Sequence, residues 1–190
     1  MKPGRIFILF FLLEVAIVVA GFYTEGPTAT GWQTITRFSG RLSLFLFSII
    51  FLLQHKPESL HHWLSDKFFL LFAMVHGIHL VELITYVRMS GVSLIPIRVA
   101  GGALAYLLIF LMPVLWHYRM QGRISVEKFF VIQTVFMYYT WFVFFLTYLP
   151  RVQGKLPQAG GNYFEHVALL GWVSTMLGIK LAGLIQFRRN

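Results

Sequence analysis

Two histidines and a carboxylate, His76, His79 and Glu82, stand at three-residue spacing inside the apolar run FFLLFAMVHGIHLVELITYV, residues 68–87. A run of that length reads as a membrane-spanning helix, where ionisable groups cost about 2.5–3.5 kcal/mol each at mid-span and tend to be functional. Residues three apart on a helix differ by about 4.5 Å of rise and about 60° of rotation, so His76 and His79 point to neighbouring parts of one face. Three chemistries fit that arrangement. The imidazoles can hydrogen-bond between helices and pack the bundle, one can ligate a haem iron, or both can join Glu82 around a non-haem metal. The pair cannot clasp one haem iron from both sides, because axial ligands on opposite porphyrin faces come from different helices of a bundle. His76 and Glu82 diverge by about 120° around the helix, which strains the three-ligand metal reading. Gly77, between the histidines, would let a flat macrocycle or a neighbouring helix approach the backbone.

The elements that must hold these residues follow from composition. Apolar residues make up 57% of the 190 and charged residues 12%, too little charge to cover a soluble globule. The expectation is an all-α, polytopic membrane protein, a single domain over residues 1–190 with six transmembrane helices near 6–23, 38–53, 68–87, 99–116, 129–149 and 167–185. With no cysteine, thiolate ligands, disulfides and iron–sulfur clusters are excluded. The net charge of +9 sits at the ends of apolar runs, which suits lipid headgroups and argues against nucleic acid. Lys2, Arg5, Lys56, Lys67, Arg119, Arg123, Lys128, Arg188 and Arg189 gather on one side, against Arg37, Arg88, Arg98, Arg151 and Lys155 on the other. That bias predicts a multi-pass protein of the bacterial inner membrane with both termini cytoplasmic. The connections, such as TEGPTATGWQT and RVQGKLPQAGGN, carry turn residues and hold no flavin or nucleotide module, so any electron donor is a separate protein or a diffusible molecule.

Other intramembrane charges need partners. Glu14 with Lys180, and Arg41 with Glu82, are the expected pairs, while the Arg41 guanidinium also suits a haem propionate or another anionic headgroup. His117 and His166 fall at helix ends, away from the depth of His76, and His55, His61 and His62 lie in a loop. No nucleophile with a base, no HExxH and no inverted repeat is present, so hydrolysis, group transfer and transport have little support.

LLFAMVHGIHLVEL resembles the third helix of bacterial ferric reductase-like transmembrane proteins. TRFSGRLSLFLFSIIFLL is similar to that group's second helix, AGGALAYLLIFLMPVLW to its fourth, and FFVIQTVFMYYTWFVFFLTYLPR to its fifth, with the YYTWFVFF core and terminal YLPR the most specific part. The resemblance implies a six-helix bundle holding b-type haem between the third and fifth helices and carrying electrons across the membrane, as a possible oxidoreductase component served by a partner. The family's fifth-helix histidine corresponds here to Gln133, a poor haem ligand. One turn on, Met137 is either a core-filling thioether or a second axial ligand. The resemblance thus yields a five-coordinate haem on His76 or His79 with Gln133 near the open face. The alternatives are a haemless membrane interaction or lipid-binding subunit, and a non-haem metal protein using His76, His79 and Glu82.

Overall fold

A computed structural model describes residues 3–54, 57–64, 66–92, 96–156 and 160–189. Within them the chain is all-helical: α1 (Pro3–Glu25), α2 (Ala29–Leu53), α3 (Pro57–Leu64), α4 (Phe68–Ser90), α5 (Pro96–Met120), α6 (Val126–Val152) and α7 (Tyr163–Arg189). All but α3 are long and apolar enough to cross a membrane, so the chain is a six-span helical bundle with lipid around it. His55, one of the loop histidines, lies outside the described residues.

The helices outrun the apolar segments because polar residues extend them. α2 begins at Ala29 rather than near Phe38: only a short turn at Gly26 precedes it, and the Thr28 side chain caps it by accepting from Gly31 N at 3.2 Å. Gln33 and Arg37, expected in or beside a turn, therefore ride on a helix inside the bundle. α6 is capped by Ser125, whose hydroxyl accepts from Lys128 N at 3.4 Å, and it continues through Pro150 to Val152. The loop after α2 contains α3, whose Leu60 and Leu64 are buried against the bundle.

α2 and α4 pack side by side at the centre, with α1 against both, α5 against α4, and α7 against α6 and α2. In the half nearer the termini, rings fill the interior. Phe47 touches Phe51, Phe72 and Phe144, with centroids at 5.5, 5.8 and 5.2 Å, and Phe69 sits 4.4 Å from Phe68 and 5.9 Å from Trp116. Lipid tails are as apolar as these side chains, so close packing and interhelical hydrogen bonds, rather than escape from water, hold the helices together. Ser48 on α2 accepts from Trp172 Nε1 of α7 at 2.9 Å, and Trp141 Nε1 of α6 donates to Val173 O of α7 at 2.8 Å. Among the described side chains of α1 the stripe Ile6, Phe10, Glu14 and Gly21 is buried, while Ile8, Phe11, Leu12 and Val19 face outward.

Candidate functional site: a cavity joining two histidines to three arginines

In the half of the bundle away from the termini, the ring packing gives way to a cavity of about 360 Å³ bounded by α2, α4, α5, α6 and α7. Its size lies in the range of small-molecule and cofactor sites. Both His76 and His79 line it. The His76 ring is encased by Tyr106 at 4.8 Å, Phe72 at 5.3 Å and Phe144 at 6.0 Å, and the two imidazoles are 5.4 Å apart. His79 is the less enclosed of the pair and lies against Gly40 of α2. A Cβ at Gly40 would stand 3.0 Å from His79 Cε1, so the missing side chain is what admits the imidazole. The Nδ1 atoms of both histidines are buried without a hydrogen-bond partner.

Toward its outer end the cavity is cationic. Arg37 and Arg41 of α2 and Arg151 of α6 all line it. Glu165, in the first turn of α7, accepts from Arg37 Nη2 at 2.9 Å and pairs with Arg41 Nη2 at 2.6 Å. Its placement suits the helix N-terminus, and the same carboxyl also accepts from Asn162 N at 3.2 Å. Gly161, at φ 91°, lets the backbone turn beneath this cluster, where a Cβ would come within 2.8 Å of both Arg37 Nη2 and Glu165 Oε2. Arg151 is held differently. Its Nη1 donates to Thr147 O at 3.0 Å, the guanidinium lies 5.6 Å from the centre of the Tyr148 ring, and Nε is buried without a partner. Among the described residues no carboxylate pairs with Arg151, so three guanidiniums face one carboxylate around the cavity.

Several sequence expectations change here. Arg41 pairs with Glu165, not Glu82, because α7 brings its first turn against α2. Glu14 and Lys180 do not pair: Glu14 faces Glu82, and Lys180 Nζ lies 5.2 Å over the Phe51 ring without a hydrogen-bond partner. His166, expected away from His76 in depth, lines the same cavity, its Nε2 3.0 Å from Gly160 O. His76, His79 and Glu82 do not converge, and among the described residues no group of three such ligands is placed to hold a metal ion. Glu82 is buried outside the cavity wall.

Gln133 and Met137 are also outside that wall, whose α6 side runs from Thr140 to Arg151. The ring contacts give the register: Phe136 meets Phe69 at 6.0 Å, and Phe144 meets His76 at 6.0 Å. The α6 residue beside the histidine pair is therefore Phe144, three turns beyond Gln133, and Met137 is fully buried in the aromatic core. As parts of the cavity wall, Tyr106, Tyr148 and Arg151 escaped the sequence reading. For Tyr148 and Arg151 the available signal was the run TYLPR, polar and aromatic residues closing an apolar segment, which also describes an ordinary interfacial anchor.

The fold and cavity define a class: a multi-pass helical membrane protein with an internal, partly cationic, histidine-bearing chamber. No family model matches the chain, and no curated protein or solved structure is significantly similar to it. The ferric reductase-like resemblance therefore rests on the quoted motifs alone.

Proposed function

We propose that this chain is the haem-binding membrane component of an electron-transfer system, holding one b-type haem in the cavity. The observation that carries the reading is Arg151, a guanidinium without a carboxylate partner among the described residues, in the same chamber as His76 and His79. The donor set fits the group. A neutral imidazole is an axial ligand for iron, guanidiniums recognise propionate carboxylates, and the walls between them are largely apolar, among them Ala105, Ile109 and Phe144. His79, the less enclosed histidine, would hold the iron, and His76, packed against Phe72, Tyr106 and Phe144, would line the wall beside it. Arg37, Arg41 and Arg151 would take the propionates. A haem so held supplies one-electron transfer. From α6, Thr140 and Phe144 would offer the group no second nitrogen or sulfur ligand. The protein would sit in the inner membrane with both termini cytoplasmic and receive electrons from a partner protein.

The absence of an opposing ligand on α6 favours one second reading, a haemless subunit that holds an anionic amphiphile such as a lipid by the same arginines. An absorption spectrum of the purified protein separates the two. The haem reading expects an intense high-spin Soret band that Phe144→His shifts toward six-coordinate low spin, while Gln133→His leaves it unchanged. A colourless protein that takes up no added haem overturns it in favour of the amphiphile.

A further inference from the structure

Outside the cavity, α1, α2 and α4 enclose a second polar centre. Glu14 and Glu82 are 2% and 3% exposed, and all four of their carboxyl oxygens are buried without a hydrogen-bond partner. Glu14 lies within electrostatic reach of Glu82, and both carboxyls approach the hydroxyl of Ser39 on α2. That hydroxyl, on a third helix, is fully buried and itself unpartnered. It sits beside Gly40, so the centre and the cavity lie back to back across neighbouring residues of α2.

The charges on the surrounding helices point elsewhere. Arg37 and Arg41 of α2 are engaged by Glu165, and His79 of α4 faces Gly40 and the cavity. From α5 the Tyr106 phenol comes within electrostatic reach of Glu82. No ion pair reaches either acid among the described residues. Two adjacent carboxyls out of water cannot both be ionised without a positive charge between them, because desolvation and mutual repulsion act together. A metal ion is poorly served, since no third His, Cys, Asp or Glu among the described residues completes the group. A proton needs only what is present: one carboxyl becomes a donor, and the other carboxylate is an acceptor.

We propose that Glu14 and Glu82, with Ser39 beside them, form a membrane-buried proton-binding site that holds one shared, exchangeable proton at neutral pH. Loading forms one O–H bond on a carboxylate oxygen and involves no oxidation, and the site stands whether or not the cavity takes haem.

Infrared spectroscopy of the full chain in lipid nanodiscs at neutral pH is the decisive test. A protonated-carboxyl C=O band that shifts in D2O is expected, and it should disappear in the Glu14→Gln, Glu82→Gln double variant. Ser39→Ala, which removes the neighbouring hydroxyl but neither acid, should shift the band without abolishing it. An apolar carbodiimide, which attacks protonated carboxyls in apolar surroundings, should label Glu14 or Glu82 of the wild-type protein equally in sodium and choline buffers. No such band in the wild-type protein, or a band untouched by the double variant, overturns the proposal. Suppression of labelling by sodium also overturns it, by making the occupant a metal cation.

Discussion

One pair of helices, α2 and α4, builds two opposite environments along its length. Nearer the termini their facing residues are Phe47, Phe51, Phe68, Phe69 and Phe72, interlocked with rings of α5 and α6. Farther along, the same helices present Gln33, Arg37, Gly40 and Arg41 against His76, His79 and Tyr86, and a cavity opens. Within lipid, helix association depends on contact rather than on escape from water, so a region left open has to be held by one packed tightly elsewhere. The aromatic half fixes the helices, and the polar half can then keep a chamber between them. Substitutions in the first should change stability, and substitutions in the second should change what binds.

The sharpest way to break that division is Phe47→Ala. Phe47 is fully buried among three rings, and its loss should cost about 3–5 kcal/mol, read as a lower unfolding midpoint in detergent. A smaller effect is expected from Ser48→Ala, which strands Trp172 Nε1 and unties α7 from α2. Interhelical hydrogen bonds in membranes are worth about 0.6–2 kcal/mol, and the same unfolding assay should register that loss. Gly40→Ala should separate the two halves. Overpacking against His79 costs about 1–3 kcal/mol, offset by roughly 1 kcal/mol of helix propensity. Stability should therefore fall by no more than about 2 kcal/mol, while binding of the proposed haem weakens. Least destabilising is Glu165→Gln. Its ion pairs with Arg37 and Arg41 are partly exposed, at 20–33% of side-chain surface, so stability should stay within about 1 kcal/mol. Removing the lone carboxylate leaves the arginines unopposed, so an anionic ligand should bind more tightly and with a steeper dependence on salt. A large stability loss from Glu165→Gln, or none from Phe47→Ala, would dissolve the contrast.

The sequence exposed the helical class and the spans, because apolar runs bounded by turn residues carry that signal directly. It also exposed His76, His79 and Arg41, ionisable groups at or near apolar runs, all of which line the cavity. It missed the other side of the chamber for a physical reason. Helical structure continues past the apolar run wherever a cap and internal hydrogen bonds support it. Hydropathy therefore does not show that Gln33 and Arg37 are helical on α2, or that Arg151 and His166 flank the cavity from α6 and α7. Depth along α6 failed similarly. Counting from the apparent start of each segment sets Met137 level with His79, whereas packing sets Phe144 beside His76. Charge pairing was the least legible feature, since Arg41 meets Glu165 only through the approach of α7 to α2.

The central claim is that the polar half is a binding chamber in which histidine and arginine act on one ligand. Titrating haem into the purified apo-protein, with the Soret band as readout, tests it most directly. The account predicts saturation at one haem per chain, loss of the band in the His76→Ala, His79→Ala double variant, and weaker binding in Arg151→Gln. Uptake that never saturates, or a double variant that binds haem as the wild type does, would contradict it.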